Sequence, residues 1–345
     1  MTAVRLPGWG RSPVVTELPR PVPRDGQVLV RVEAVGLCHS DLHVIDAARG
    51  AMPFRPPFTL GHEVAGRIAA GGPSAAVTVG ERVVVHGPWG CGSCPRCARG
   101  RDNYCDRRSE LSWAGMGLGV DGGMADHVLV PSTKHLVPIG ELDAGEAAPL
   151  TDAGLTSYHA IAGIRPRLDE DSTVAVIGIG GLGHLAVQLI RALTPCRVIA
   201  VDVRDEALAL AERSGAHLST KATADTSRVL RATTGGAGVD AVLDFVGSRS
   251  TLDLGARGLR SDGDLVLVGS SGGELTVRKP GSLPPGCRIS LPFWGSRDEL
   301  ADVVALSRAG ALSAEVQRFP LTAVHEAISA LRNGNLAGRA VLIPG

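Results

Sequence analysis

The sequence feature that most constrains the fold is a glycine-rich turn between an apolar strand and a helix. The strand Thr173 to Ile177 precedes Gly178-Ile179-Gly180-Gly181-Leu182-Gly183, and the apolar periodicity then predicts a helix from Leu182 to Ala192. The next predicted strand, Arg197 to Val201, leads directly to Asp202. Strands that alternate with helices in this way indicate βαβ units and therefore a parallel sheet.

This turn has the composition of a dinucleotide-binding loop. Its glycines let the backbone approach a pyrophosphate, and the helix N-terminus offers that group unpaired N–H donors. The Asp202 carboxylate, about 20 residues further on, can accept hydrogen bonds from the adenosine ribose, whereas a 2′-phosphate would meet like charge there. The sequence therefore favours NAD over NADP. The alternative is a structural turn in an α/β domain that binds no nucleotide.

The chain shows two different sequence patterns along its length. With 345 residues, two domains are expected. Residues 1–150 read as short strands broken by Gly and Pro, which is typical of a barrel-like β domain. The further predicted elements are the strands Val28 to Val32, Arg82 to Val85, Ala241 to Val246, Leu265 to Val268 and Ala340 to Ile343, and the helices Asp205 to Ser214 and Asp298 to Arg308.

Charge balance excludes several classes of partner. Lys plus Arg and Asp plus Glu both number 35, so no global field draws the chain to nucleic acid or to an anionic membrane. No secretory signal opens the sequence, and no apolar run approaches the roughly 20 residues of a membrane helix. We therefore expect a cytoplasmic protein with a small-molecule partner. In that reducing compartment the 7 cysteines indicate metal or catalytic use, except for Cys196 and Cys287, which we expect to be inert.

A dense cysteine array gives the strongest local signal for a metal. Its members have the spacing C-x2-C-x2-C-x7-C and are Cys91, Cys94, Cys97 and Cys105. Four thiolates at this spacing can surround one tetrahedral Zn²⁺, and a closed shell of this kind predicts a structural role. An iron–sulfur cluster is disfavoured because the ferredoxin run has three residues before its last Cys and a Pro after it, whereas Asp106 follows here. The alternative of four free thiols is disfavoured because so dense a cluster without a metal would be prone to oxidation.

A second possible metal set is dispersed along the chain. It consists of Cys38 in Gly-Leu-Cys-His-Ser-Asp, His62 in Gly-His-Glu, and Asp152 in Thr-Asp-Ala-Gly. One thiolate, one imidazole and one carboxylate would leave a fourth zinc position open for water or substrate. Each residue alone is more often an ordinary core or surface group, and sequence by itself does not bring the three together.

In this order, the three sets make the chain resemble the zinc-containing medium-chain alcohol dehydrogenases. The resemblance includes Gly61-His62-Glu63-Val64-Ala65-Gly66 and Gly80-Glu81-Arg82-Val83, and it spans essentially the whole length. The segments Thr151 to Thr156, Asp244 to Gly247 and Trp294 to Leu300 are similar to the bacterial branch that acts on secondary alcohols and ketones. In that branch an Asp commonly replaces the second Cys of the catalytic zinc, which is the position of Asp152.

The resemblance implies a fold and a domain division. A GroES-like, β-rich catalytic domain would span residues 1–153, with a structural zinc lobe at about residues 88–108. A Rossmann domain with a doubly wound parallel sheet would span residues 154–294, and residues 295–345 would return to the catalytic domain. The implied protein is a homotetramer or homodimer that carries two zinc ions per chain and uses NAD.

The resemblance also implies roles for individual residues. Cys38, His62 and Asp152 would hold the catalytic zinc, with Glu63 close behind it and Asp41 orienting the His62 ring. Ser40 would accept the substrate proton and His43 would pass it to solvent, although His43 could instead be a wall of the pocket. Contacts with the cofactor are implied for a larger set, consisting of the glycine-rich loop with Asp202, and of His39, Thr156, Val268, Ser270, Trp294 and Arg339.

The reaction implied is reversible hydride transfer between an alcohol and a ketone or aldehyde. Candidate pocket residues are apolar or aromatic (Phe54, Trp113, Leu118 and Trp294), which favours hydrophobic alcohols. A polyol or amino-alcohol dehydrogenase of the same family is the alternative enzyme. A non-catalytic NAD-binding interaction protein is the alternative of another class, and it would be expected to lack a metal ligand.

Overall fold

The computed structural model describes residues 1–281 and 283–345 and divides them into two compact units. One unit comprises Met1–Leu155 with Trp294–Gly345, and the other comprises Thr156–Phe293. Within the described residues, no helix combines the length and the apolar character needed to span a membrane.

The first unit is built mainly of short strands. Its elements before residue 150 are β1 Thr2–Leu6, β2 Val14–Glu17, β3 Val28–Leu37, α1 His39–Ile45, β4 Phe58–Thr59, β5 Glu63–Gly71, β6 Arg82–Val85, α2 Pro95–Ala98, β7 Gly115–Met116, β8 Gly119–Val120, β9 His127–Val130, β10 Leu136–Pro138 and α3 Ala144–Ala147. Short 3-10 helices accompany them at Asp102–Tyr104, Arg108–Glu110, Thr133–His135 and Ala148–Thr151.

The second unit alternates strands and helices. Its elements are β11 Thr173–Ile177, α5 Gly183–Leu193, β12 Arg197–Asp202, α6 Asp205–Arg213, β13 Leu218–Lys221, α7 Thr226–Ala232, β14 Val239–Asp244, α8 Arg249–Gly258, β15 Leu259–Leu267 and β16 Arg288–Ser290, preceded by α4 Ala153–Ile164 and a 3-10 helix at Arg165–Arg167. The chain then returns to the first unit with α9 Arg297–Arg308, β17 Val316–Pro320, a 3-10 helix at Leu321–Ala323, α10 Val324–Arg332 and β18 Arg339–Ile343.

Strand β3 is the centre of the first unit. The sheet order is β10-β6-β5-β3-β18-β17, with β9 also paired to β3, and β18 lies antiparallel to β3. The C-terminal strand therefore completes the sheet that the N-terminal strands begin. A core of Val, Leu and Ile side chains fills this unit, and it includes the fully buried Val30, Val64 and Val341. Burial of this apolar surface is the main stabilising contribution.

The second unit contains the parallel sheet that the alternating pattern predicts. Across the described residues the order is β13-β12-β11-β14-β15-β16, and all the pairs in it are parallel. The predicted mixed α/β fold class, with a β-rich first unit and a parallel sheet in the second, is confirmed. Strand β11 is buried at every position, as expected for a central parallel strand covered on both faces.

Several predicted boundaries differ from the structure, and two of these differences have identifiable reasons. The strand predicted as Ala241 to Val246 ends at Asp244, because the Asp244 carboxylate accepts the N–H groups of Val246 and Gly247 at 2.9 Å and turns the chain. The strand predicted from Leu265 begins at Leu259. Its first half contains the polar run from Arg260 to Asp264, so the apolar pattern of the sequence does not indicate a strand there.

Candidate active site and metal centres

Cys38 is placed at the junction between β3 and α1. It is the N-cap residue of α1, and its backbone N–H donates to Oδ2 of Asp41 at 2.9 Å. Asp41 is fully buried, so this bond fixes the first turn of the helix against the sheet. The Cys38 side chain is itself buried, which holds its thiol in one position.

His62 and Glu63 stand at the start of β5, next to the end of β3. The antiparallel register pairs Gly36 with Glu63. A β-carbon at Gly36 would lie 1.8 Å from Glu63 Oε2, so only glycine fits opposite this carboxylate. The pairing brings the Cys38 end of β3 to the His62 end of β5. Asp152 arrives from the 3-10 helix at Ala148–Thr151.

These residues converge on one point. The ligand atoms of Cys38, His62, Glu63 and Asp152 all lie within 4.8 Å of one another. Cys38 Sγ is 3.5 Å from Asp152 Oδ2, and His62 Nε2 is 3.6 Å from the same oxygen. The structure thus brings together residues that are far apart in sequence, and it adds Glu63 to the group.

The donor set fits zinc. Cys38, His62 and Glu63 are buried and Asp152 is largely so, and a cluster of donors without a cation leaves electrostatic repulsion and unsatisfied groups. Glu63 Oε2 has no hydrogen-bond partner among the described residues. Burial alone lowers the pKa of His62, but the nearby Asp41 and Asp152 carboxylates outweigh it and raise that pKa well above its usual value. The site therefore favours positive charge at its centre.

Asp41 lies behind the His62 ring, opposite the cluster. Its Oδ1 is 3.3 Å from His62 Nδ1, while Nε2 of the same ring faces Asp152. A carboxylate in this place fixes the ring orientation and makes the imidazole a stronger ligand.

Glu63 also forms an ion pair that the sequence pattern did not reveal. Its Oε1 accepts a hydrogen bond from Arg339 at the start of β18, and both side chains are buried. Burial raises the pKa of Glu63 to about 7, although Arg339 opposes that shift. Arg339, which the resemblance assigns to the cofactor pyrophosphate, is only 3% exposed. The contact between residues 63 and 339 arises from the pairing of β18 with β3. No local sequence signal therefore indicates it.

Trp294 covers the His62 ring. The two rings meet edge to face with centroids 5.7 Å apart, and Trp294 is 4% exposed. Its backbone has φ of 52°, an uncommon value for a bulky residue. The adjacent Gly295 carbonyl accepts a hydrogen bond from His86 Nε2 at 2.9 Å, which helps to hold this backbone. Glycine at position 87 is needed because a β-carbon there would meet the indole at 2.9 Å.

The second cluster is the cysteine lobe, whose ligand atoms also lie within 4.8 Å of one another. Cys91 Sγ is 4.0 Å from Cys97 Sγ, close to the roughly 3.8 Å edge of a tetrahedron with 2.3 Å Zn–S bonds. Backbone N–H groups already point at the sulfurs, with Cys94 N donating to Cys91 Sγ at 3.3 Å and Cys97 N to Cys94 Sγ at 3.4 Å. Such bonds stabilise thiolates.

The pKa values in the lobe show the same preparation for a metal. The Ser93 N–H lowers the pKa of Cys91 to about 6, and hydrogen bonding from Cys97 N–H lowers that of Cys94. Burial raises the pKa of Cys97, so this thiol becomes a thiolate only when a cation compensates its charge. The structure therefore has two candidate zinc sites, of which the four-cysteine site is the structural one.

The glycine-rich loop is a tight turn in which two positions require glycine. Gly178 has φ of 88°, and a β-carbon at Gly183 would lie 2.0 Å from the Gly178 carbonyl oxygen. Helix α5 begins at Gly183, so its first N–H groups face the loop. The Asp202 carboxylate accepts the Ile179 N–H at 2.7 Å and the Arg204 N–H at 3.0 Å. Asp202 is thus hydrogen-bonded to the loop. Gly180, Gly181 and Leu182 complete the turn.

The remaining predicted residues lie as follows. Ser40 Oγ is 3.7 Å from Cys38 Sγ, and His39 and His43 are exposed on the same helix. In the second unit, Thr156 is buried in α4, Val268 donates its N–H to the Asp244 carbonyl at 2.9 Å just after β15, and Ser270 is exposed.

Comparison with known proteins bears on the whole chain. Residues 24–141 match the alcohol dehydrogenase GroES-like domain, and residues 181–309 match the zinc-binding dehydrogenase family. The chain is 36% identical to an NAD-dependent alcohol dehydrogenase of Sulfurisphaera tokodaii over 100% of both. It is 31% identical to a D-arabinose 1-dehydrogenase (NADP(+)) of Saccharolobus solfataricus, covering 94% of this chain and 92% of that one. The crystal structure of an Aeropyrum pernix alcohol dehydrogenase superposes with a TM-score of 0.91 at 33% identity, covering 100% of both chains.

Proposed function

We propose that this chain, which belongs to the zinc-containing medium-chain alcohol dehydrogenase family, catalyses NAD-dependent interconversion of hydrophobic secondary alcohols and ketones. The observation that carries the proposal is the convergence of Cys38, His62 and Asp152 with Glu63 behind them. A structural metal would need a closed shell, whereas this donor set can leave a position for substrate.

Cys38, His62 and Asp152 would hold the catalytic zinc, and Asp41 would set the ring plane of His62. Zinc and NAD, when bound, supply a Lewis acid that acidifies the alcohol and an acceptor for hydride. The buried Glu63 and Arg339 side chains form an ion pair next to this set, so their opposite charges compensate each other. Trp294 shields the His62 ring from water.

Ser40 and His43 would move the proton. Ser40 Oγ, close to Cys38 Sγ, would accept the proton from the alcohol hydroxyl. His43 lies one helical turn further along α1 and is exposed, so its imidazole can pass the proton on to solvent. Exposure supports the relay role of His43 over a role as pocket wall.

The glycine-rich loop would bind NAD through its pyrophosphate, and Asp202 would bind the adenosine ribose. Carbonyl and N–H groups at Val268, Ser270 and Trp294 would hold the carboxamide, and His39, Thr156 and Arg339 would contact the rest of the cofactor. We further propose a cytoplasmic homotetramer or homodimer, by analogy with the family.

The test is an NADH absorbance screen over primary alcohols, secondary alcohols and polyols, run on the parent and on Ser40→Ala. We expect secondary alcohols to be oxidised fastest, and we expect Ser40→Ala to lose about 10²–10⁴-fold in turnover while it retains zinc and NAD, as loss of a proton acceptor requires. Equal rates with NADP, or full activity in Ser40→Ala, would contradict these assignments.

A sugar or polyol dehydrogenase is the second candidate. The likeness to the D-arabinose 1-dehydrogenase of Saccharolobus solfataricus favours it. That relative uses NADP(+), whereas Asp202 in this chain would oppose a 2′-phosphate. Faster turnover of polyols than of secondary alcohols in the same screen would select this candidate.

A further inference from the structure

The first unit contains a cavity separate from both metal clusters. It has a volume of about 620 Å³ and is formed by the loop between α1 and β4 together with Gly8 and Trp9. Sites for small molecules commonly measure about 300–1,000 Å³, so this cavity has an appropriate size. Among the described residues, no metal-donor side chain lines it.

One side of the cavity is a fixed apolar wall of Trp9, Met52 and Phe54. The Trp9 and Phe54 ring centroids are 6.2 Å apart, and Phe54 packs edge to face on Phe58 at 5.6 Å. Phe54 is only 3% exposed, which anchors the wall to the core. The wall therefore offers an apolar contact surface for a flat ring or an alkyl chain.

The rest of the lining carries uncompensated positive charge. Arg49 and Arg55 line the cavity, and Arg11 lies against it, since a β-carbon at Gly8 would be 3.6 Å from Arg11 Cδ. Within residues 1–281 and 283–345, none of these three guanidinium groups has a hydrogen bond or an ion pair, and no Asp or Glu lines the cavity.

Other arginines of the same unit show the contrast. Arg5 is paired with Asp121 at 2.9 Å and Arg332 with Asp46 at 2.5 Å. The local carboxylates are thus engaged elsewhere, and the arginines at the cavity remain available to a ligand. An arginine guanidinium matches the two oxygens of a carboxylate and is the preferred partner where that geometry matters.

We propose that this cavity binds a small amphipathic carboxylate, with its ring or alkyl group against Trp9, Met52 and Phe54 and its carboxylate facing Arg49 and Arg55. The apolar wall selects against free inorganic anions, and the arginines select against neutral molecules of the same shape. The cavity shares no residue with the metal clusters, and of the candidate substrate-pocket residues only Phe54 belongs to its wall.

The test is calorimetric titration of the zinc-loaded protein with phenylacetate, phenylacetamide and inorganic phosphate. We expect phenylacetate to bind at least tenfold more tightly than either of the others, and we expect its binding to weaken as salt is added. The Arg49→Gln/Arg55→Gln variant should lose at least tenfold in affinity for phenylacetate. The matched control is Arg165→Gln/Arg213→Gln, which changes two exposed arginines of the other unit and should bind as the parent does.

A second variant tests the apolar wall. Trp9→Leu should weaken phenylacetate binding severalfold while leaving any phosphate binding unchanged, because only the ring contact is reduced. No phenylacetate binding by the parent would overturn the proposal. Full affinity in Arg49→Gln/Arg55→Gln would do the same, since the carboxylate would then be bound elsewhere, for example at a zinc ion. Equal affinity for phenylacetamide or for phosphate would also overturn it.

Discussion

The two metal clusters of the first unit are built in opposite ways. The cysteine lobe takes all its donors from residues 91–105, and its own backbone N–H groups point at the sulfurs. The other cluster takes Cys38, His62 and Asp152 from separate segments and depends on Asp41 and Arg339 around them. The lobe's donors belong to one short loop, whereas those of the dispersed site are held in place by separate elements of the surrounding fold. The first arrangement suits a structural role and the second a reactive one.

The largest effect should come from removing one ligand in each cluster. Cys97→Ser should prevent stable folding of the lobe, because structural zinc contributes about 10–16 kcal/mol in small zinc domains, as much as a whole domain's usual stability. Cys38→Ser should abolish activity while the fold remains. Circular dichroism and thermal unfolding check both variants. A folded, stable Cys97→Ser protein would remove the distinction between the clusters.

The second-largest difference between the two clusters should appear when metal is removed. We expect elemental analysis to find close to two zinc ions per chain. A slow chelator should abolish activity while one zinc ion is retained, because the dispersed site leaves a coordination position open and the lobe is closed. Mass spectrometry of the native protein during chelation gives the order. Simultaneous loss of both ions, or iron with visible absorbance, would contradict the assignment.

Asp41→Asn should act on the dispersed cluster alone. The amide keeps the shape but removes the charge behind His62 Nδ1, and such outer partners typically change metal affinity about 10–100-fold. Competition with a fluorescent zinc indicator measures both sites in one titration. The lobe's affinity serves as the internal control. An unchanged affinity of the weaker site would show that Asp41 only caps α1.

The pH dependence of stability should report on two histidines packed beside the lobe. Burial lowers the pKa of His86 to about 4 and that of His135 to about 3, and the two rings stack with centroids 6.1 Å apart. Both are neutral when folded and bind more protons when unfolded, so their contribution is full above pH 6.5, the usual histidine pKa, and is lost as the pH falls toward 4. For His86 the loss between pH 6.5 and pH 4 amounts to about 3 kcal/mol.

His135→Phe keeps the ring and removes one of these titrations. We therefore expect the variant to lose less stability than the parent between pH 6.5 and pH 4, as measured by denaturant unfolding of the zinc-loaded proteins. Parallel pH profiles for the two proteins would assign the acid sensitivity to the metal ligands instead.

The smallest effect should come from the exposed ion pair within the lobe. Arg96 and Asp106 are 2.8 Å apart, but their side chains are 53% and 43% exposed. Asp106→Asn should change stability by less than about 1 kcal/mol, because exposed pairs are weak. Thermal unfolding with and without added salt checks this. A larger loss would mean that the lobe depends on its surface charges as well as on its metal.

The fold class was predictable from sequence because its signals are periodic and local. The buried strand β11, the glycine turn and α5 follow one another within a short segment, and each agrees with its neighbours. The helix α4 was not predicted, since Ala153–Ile164 is apolar on nearly all sides and has no amphipathic period to detect. The first half of β15 was missed for the reverse reason, because the run from Arg260 to Asp264 has no apolar face to detect.

The cysteine lobe was determined by the sequence itself. Its four donors lie so close together in the chain that the spacing alone brings them within reach of one ion, whatever the rest of the protein does. The gathering of Cys38, His62 and Asp152, the Glu63–Arg339 pair and the covering of His62 by Trp294 were decided only by the tertiary structure. They depend on the register of β3 with β5 and on the return of the C-terminal strand to β3. Sheet pairing between distant segments is set by burial of a shared core, and no local pattern records it.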